Sequence, residues 1–108
     1  MNQSIINELV DGLLNIMEEH LVKIILYGSV ARGTNTEESD IDIALLVKEE
    51  ISGDLEDALS DFIVDMNQKH DRVFSVIDID YDMFIRWEQS VPFYNNVNQE
   101  GLVLWKVA

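Results

Sequence analysis

Two short stretches of this chain combine residue types that can do chemistry. The first is Gly28-Ser29-Val30-Ala31-Arg32-Gly33 and the second is Ser39-Asp40-Ile41-Asp42. Gly28 follows Lys23-Ile-Ile-Leu-Tyr27, a run with the length and β-branched content of a buried strand. A glycine there permits a tight turn, and without a Cβ it lets a ligand come close to the backbone. Ser29 then opens a short helix, whose first N–H groups lack partners within the helix and, beside a hydroxyl, suit an anion. Arg32 adds a planar guanidinium of the kind that grips phosphate oxygens. Asp40 and Asp42 stand two apart at the head of the apolar run Ile41–Val47, so strand geometry puts both carboxylates on one side. They repel each other unless a cation lies between them. Hard oxygen ligands suit Mg²⁺, which takes one or two protein carboxylates plus substrate phosphates. Two such ions roughly 3.5–4 Å apart can hold the attacking and leaving oxygens of a phosphoryl or nucleotidyl transfer. Gly-Ser after a strand and a lone Asp-x-Asp are each commonplace. Their combination, with ten residues between Ser29 and Asp40 and each half adjoining a strand, is far more specific.

The surrounding pattern says what positions these groups. Ser4 to His20 reads as a helix, with Ile5, Ile6, Leu9, Val10, Leu13, Leu14 and Met17 on one face. After the second strand, Ser52, Gly53 and Asp54 offer caps for a long helix. Its core face is Leu55, Ala58, Leu59, Phe62, Ile63 and Met66, and Asp54, Asp57, Asp61 and Asp65 form an acidic stripe opposite. Arg72 to Ile79 reads as a third strand, Tyr81 to Glu88 as a short helix with Asp80 as its cap, Pro92 to Asn98 as a loop, and Leu102 to Val107 as a last strand. This order predicts a single α+β domain over residues 1–108, with helices layered on a small mixed sheet. His20 and His70 fall at helix ends, where a cation complements the dipole. Trp87, Phe93, Tyr94 and Trp105 read first as packing residues, with Tyr94 and Trp105 also placed to line a base or partner pocket.

Composition narrows the field. The 108 residues include no Cys, one Pro and five Gly, which removes disulfide frameworks and thiolate chemistry and fits a reducing cytoplasm. No apolar run reaches the roughly 18 residues a membrane span needs, and the start carries no basic region ahead of an apolar stretch. Against 7 Lys and Arg stand 21 Asp and Glu, a net charge of −14. A polynucleotide backbone is repelled by such a surface, so nucleic acid is not an expected partner. A basic protein, or a small anion escorted by divalent metal, is compatible with it.

The residues Gly28, Ser29, Ala31, Arg32, Gly33, Ser39, Asp40, Ile41 and Asp42 resemble the signature of the nucleotidyltransferase superfamily related to DNA polymerase beta. Within it, the chain looks like the minimal nucleotidyltransferases encoded beside HEPN-domain proteins in prokaryotes. The resemblance implies the polymerase beta-like fold, nucleotide binding by Gly28, Ser29, Arg32 and Ser39, and Mg²⁺ binding by Asp40 and Asp42. It implies transfer of a nucleoside monophosphate, AMP, from ATP to a hydroxyl acceptor, a tyrosine of a HEPN-type toxin, with the chain acting as antitoxin. The superfamily adds a third carboxylate from a neighbouring strand. Asp78, an acid flanked by Ile77 and Ile79, is the preferred choice as catalytic group and metal ligand; Asp80 more simply caps the next helix. An earlier register puts Ser75 at that position and removes the base. The alternative function is then a non-catalytic partner that keeps the fold and neutralises a toxin by binding. A chain this short takes its acceptor from another protein or from its own oligomer.

Overall fold

The computed structural model describes residues 2–34, 36 and 39–108. Helix α1 (Gln3–Met17) begins at Asn2, whose side chain accepts from the Ser4 N–H at 2.8 Å, and a 3₁₀ turn (Glu18–His20) follows it. Strand β1 (Leu21–Tyr27) leads directly into the short helix α2 (Gly28–Arg32). Strand β2 (Ile41–Val47) precedes the long helix α3 (Gly53–His70), capped by the Ser52 hydroxyl accepting from the Leu55 N–H. Then come β3 (Phe74–Asp80), α4 (Tyr81–Trp87), α5 (Pro92–Glu100) and β4 (Leu102–Lys106).

The strands form one mixed sheet in the order β3-β2-β1-β4. β1 is antiparallel to β2 and β4, and β2 is parallel to β3. The central strands are buried on both faces, so each alternate residue feeds a different core. On one face Ile24, Leu26, Ile41, Ile43 and Leu45 meet Leu9, Leu13 and Met17 of α1 and Leu59 and Met66 of α3. On the other, Val22, Ile25, Ala44, Leu46 and Ile79 meet Phe84 of α4 and Val97 of α5. α1 and α3 are also tied by Glu8, which accepts from Lys69 at 2.9 Å and pairs with His70 at 3.2 Å. Those two contacts hold the Glu8 carboxyl below its ordinary range, the Lys69 hydrogen bond most strongly.

The helices and strands expected from periodicity are present, with differences. Pro92 to Asn98, expected as a loop, begins α5. Its Asn-rich sequence has weak helix propensity, but Pro92 suits a first turn, and the buried Val97 and half-buried Tyr94 pack it on the sheet. Ala58 is exposed rather than part of the core face of α3, and the acidic stripe of that helix faces solvent. The third strand starts at Phe74, because the Asn67 side chain accepts from the Phe74 N–H at 2.8 Å and turns the chain there.

Candidate active site

Gly28 sits at the end of β1 with φ +76°, a left-handed conformation that glycine adopts without penalty. The bend brings its Cα against the Asp42 carboxylate, so closely that a Cβ at residue 28 would collide with the Asp42 Oδ2. The contact follows from the antiparallel register, which pairs Tyr27 with Asp42. Thus the bend and the head of β2 are one structural unit. Gly33, also left-handed at φ +75°, ends α2, and the Thr34 N–H donates back to the Ser29 carbonyl at 3.0 Å.

Asp40, exposed just ahead of β2, and Asp42, half-buried within it, are close enough to feel each other's charge. Burial first, and the Asp40 carboxylate second, hold the Asp42 carboxyl above the ordinary aspartate range, while Arg32 opposes them. The Tyr27 hydroxyl is pushed up by burial and by the Asp42 charge. A divalent cation would relieve this concentration of negative charge. The donor set, two carboxylates beside a backbone bend open to phosphate, fits Mg²⁺ completed by phosphate and water oxygens. Among the described residues, no group of three or more His, Asp or Glu is placed to hold a metal.

The remaining predicted residues divide. Ser29 stands in α2 beside Gly28, as expected. Arg32 is near enough to act on Asp42, yet its guanidinium donates to Glu100 of α5 at 3.2 Å, so a phosphate would compete with that carboxylate. The Ser39 hydroxyl accepts from the Thr36 N–H at 2.9 Å and shapes the loop. Its carbonyl accepts from Arg72 at 3.3 Å.

Asp78 is not brought to the pair. It lies opposite Leu45, three positions past the Asp42 level, and alternation sends it to the other sheet face. There it lines a groove of about 460 Å³ with Glu56 and Asp57 of α3. Asp80 shares that face and caps α4, accepting from the Met83 N–H at 3.0 Å. The residue beside Asp42 on β3 is Ser75. The preference for Asp78 is therefore corrected by the register: its carboxyl is about three residues, or 10 Å, too far along and on the wrong side.

A cavity of about 200 Å³ adjoins the bend and is lined by Tyr27, Gly28, Arg32, Phe93, Asn96, Val97 and Glu100. Phe93 meets the Tyr27 ring edge-on at 5.6 Å. Four of these residues come from α5, so a loop reading of that segment could not find them. Their helical spacing, Phe93, Asn96, Val97 and Glu100, was the available signal. Tyr94 and Trp105, the aromatics weighed for a pocket, instead pack against the two cores. His70 is taken by Glu8, and His20 lies 4.0 Å from Glu49.

The chain and its fold are similar to several known proteins. Over 104 residues the chain is 36% identical to MJ0604 of Methanocaldococcus jannaschii, provisionally assigned as a protein adenylyltransferase, spanning 93% of this chain and 94% of that protein. A second provisionally assigned protein adenylyltransferase of that organism, MJ0141, is 47% identical over 45 residues, 42% of this chain and 46% of its own. The fold recurs in a toxin–antitoxin structure with AMP-PNP, at TM-score 0.67 and 23% identity over 94% of this chain and 73% of that one. It recurs in the complex of a tri-AMPylated HEPN toxin with an MNT antitoxin from Shewanella oneidensis, at TM-score 0.64 and 21% identity over 99% and 74%. Residues 10–95, which hold the bend, both aspartates and most of both cores, match the nucleotidyltransferase domain; the chain belongs to that family and is a nucleotidyltransferase.

Proposed function

We propose that this nucleotidyltransferase uses Mg²⁺ to transfer AMP from ATP to a tyrosine hydroxyl of a HEPN-type toxin and so serves as its antitoxin. The observation that carries the reading is the Asp42 carboxylate set against the Gly28 bend, with the Asp40 carboxylate close enough to act on it. The 36% identical relative assigned to protein adenylylation, and the AMPylated toxin in one structural neighbour, supply the acceptor class. The net charge of −14 suits a basic protein partner, and a reaction that consumes nucleoside triphosphate suits the cytoplasm.

In this reading the bend around Gly28 and Ser29 seats the triphosphate, because only a residue without a Cβ leaves room between backbone and the Asp42 carboxylate. Asp40 and Asp42 hold the cation. When bound, Mg²⁺ neutralises the phosphate oxygens and stabilises charge on the departing pyrophosphate. Arg32 leaves Glu100 and turns to the phosphates. The small cavity beside the bend, with Tyr27, Phe93 and Val97 in its lining, offers the nucleotide an apolar wall.

The test is incubation with α-labelled ATP, Mg²⁺ and the product of the adjacent gene, as the candidate HEPN-type partner. Covalent label on a tyrosine of that protein is expected. No label with any nucleotide or divalent ion overturns the reading and leaves neutralisation by binding alone; label that survives Asp42→Asn shows that the chemistry lies elsewhere.

A further inference from the structure

The cross-strand row through Asp42 runs Tyr27, Asp42, Ser75, one residue from each of β1, β2 and β3. Paired residues on neighbouring strands project to the same face, with backbones about 4.8 Å apart. Asp42 is therefore flanked on both sides by hydroxyl-bearing residues. Ser75 is half-buried, as Asp42 is, and neutral. Asp40 and Asp42 are the described carboxylates at the head of β2; Glu100, across the adjoining cavity, is held by Arg32, and the acids of β3, Asp78 and Asp80, face away.

Charge balance then limits the metal load. Two carboxylates match one dication, and a second ion needs further anionic ligands. We propose that Ser75 keeps the divalent affinity of the site low: with a neutral side chain beside Asp42, the protein alone holds one divalent ion, weakly. An acid at residue 75 would stand beside Asp42 and complete a three-carboxylate set, so this one side chain sets divalent affinity. The inference rests on the reading of Asp40 and Asp42 as metal ligands.

The experiment titrates Mn²⁺, a paramagnetic substitute for Mg²⁺, into the full chain without nucleotide and counts free ion by electron spin resonance. Wild type, Ser75→Asp, Ser75→Asn and Asp42→Asn are compared. Ser75→Asp should bind Mn²⁺ at least about tenfold tighter than wild type, because affinity follows the count of charged ligands. Ser75→Asn, equal in size but neutral, should match wild type. Equal affinity of the Asp and Asn variants overturns the proposal. If three clustered carboxylates unfold Ser75→Asp in chelator, saturating Mn²⁺ should restore its melting transition; an Asp variant that stays unfolded in Mn²⁺ while the Asn variant folds also overturns it. Asp42→Asn separates the two levels. Loss of Mn²⁺ in that variant, with no gain from Ser75→Asp, defeats the Ser75 proposal alone, whereas unchanged affinity defeats the metal-site reading itself.

Discussion

Alanine at residue 28 should damage the site more than the fold, and Gly33 supplies the matched control. Both glycines are left-handed, at φ +76° and +75°. An L side chain in that conformation costs roughly 1–2 kcal/mol, which lowers the melting temperature of a domain this size by about 4–8 °C for each kcal/mol. The surroundings differ. Among the described residues, no heavy atom comes within 4 Å of a Cβ built on Gly33, whereas on Gly28 it meets the Asp42 carboxylate, with Cγ at 3.1 Å and Cβ at 3.3 Å. The carboxylate ends a short, partly exposed side chain and can swing aside. The extra collision therefore costs little stability but moves Asp42, the proposed metal ligand, off its position. Gly33→Ala and Gly28→Ala should both lose about 1–2 kcal/mol in urea melts. Gly33→Ala should keep Mn²⁺ affinity within about twofold, while Gly28→Ala should lose about tenfold or more, the scale of disturbing a metal ligand's support. Equal Mn²⁺ affinities in the two variants would refute the reasoning.

Other substitutions divide the molecule in the same way. The folded state binds the Asp42 proton more tightly than the unfolded chain does, so this group favours the fold at acid pH and that stability is lost as pH rises through the raised pKa. Metal-free Asp42→Asn should thus melt above wild type near neutral pH, by a few tenths of a kcal/mol after allowance for solvent screening, with the gap closing toward about pH 4. Thermal melts in chelator across that range are the check; a less stable variant contradicts the crowding of charge. Asp80→Ala should cost about 1 kcal/mol, the scale of a lost helix cap, and Asp78→Asn almost nothing, and neither should change Mn²⁺ affinity. Loss of affinity in Asp78→Asn would mean that β3 pairs in another register. Val97→Ala, at a side chain 1% exposed, should cost about 2 kcal/mol; an unchanged melt would show that α5 does not pack on the sheet.

Much of this was legible in the residues themselves. The stripe Leu9, Leu13, Met17 declares α1, and the runs ending at Tyr27 and Val47 declare the central strands. The two aspartates stood out because acids at the head of an apolar strand need a reason. The register of β3 was not legible. Its sequence, Phe-Ser-Val-Ile-Asp-Ile-Asp, carries apolar residues on both faces, so no alternation says which face Asp78 takes. That one shift decides whether Asp42 has an acid or a serine beside it. α5 was hidden for a different reason: its helix is imposed by Val97 and Tyr94 packing on the sheet, which overrides the weak propensity of its asparagines. The Arg32–Glu100 pair depends on that helix and was hidden with it.

The most direct measurement is a crystal structure of the chain with Mn²⁺ and a non-hydrolysable nucleoside triphosphate analogue, phased to show anomalous density. The account predicts manganese between the carboxylates of Asp40 and Asp42, with phosphate oxygens against the backbone of Gly28 and Ser29. Manganese and nucleotide bound anywhere else, with Asp40 and Asp42 turned to solvent, would contradict it.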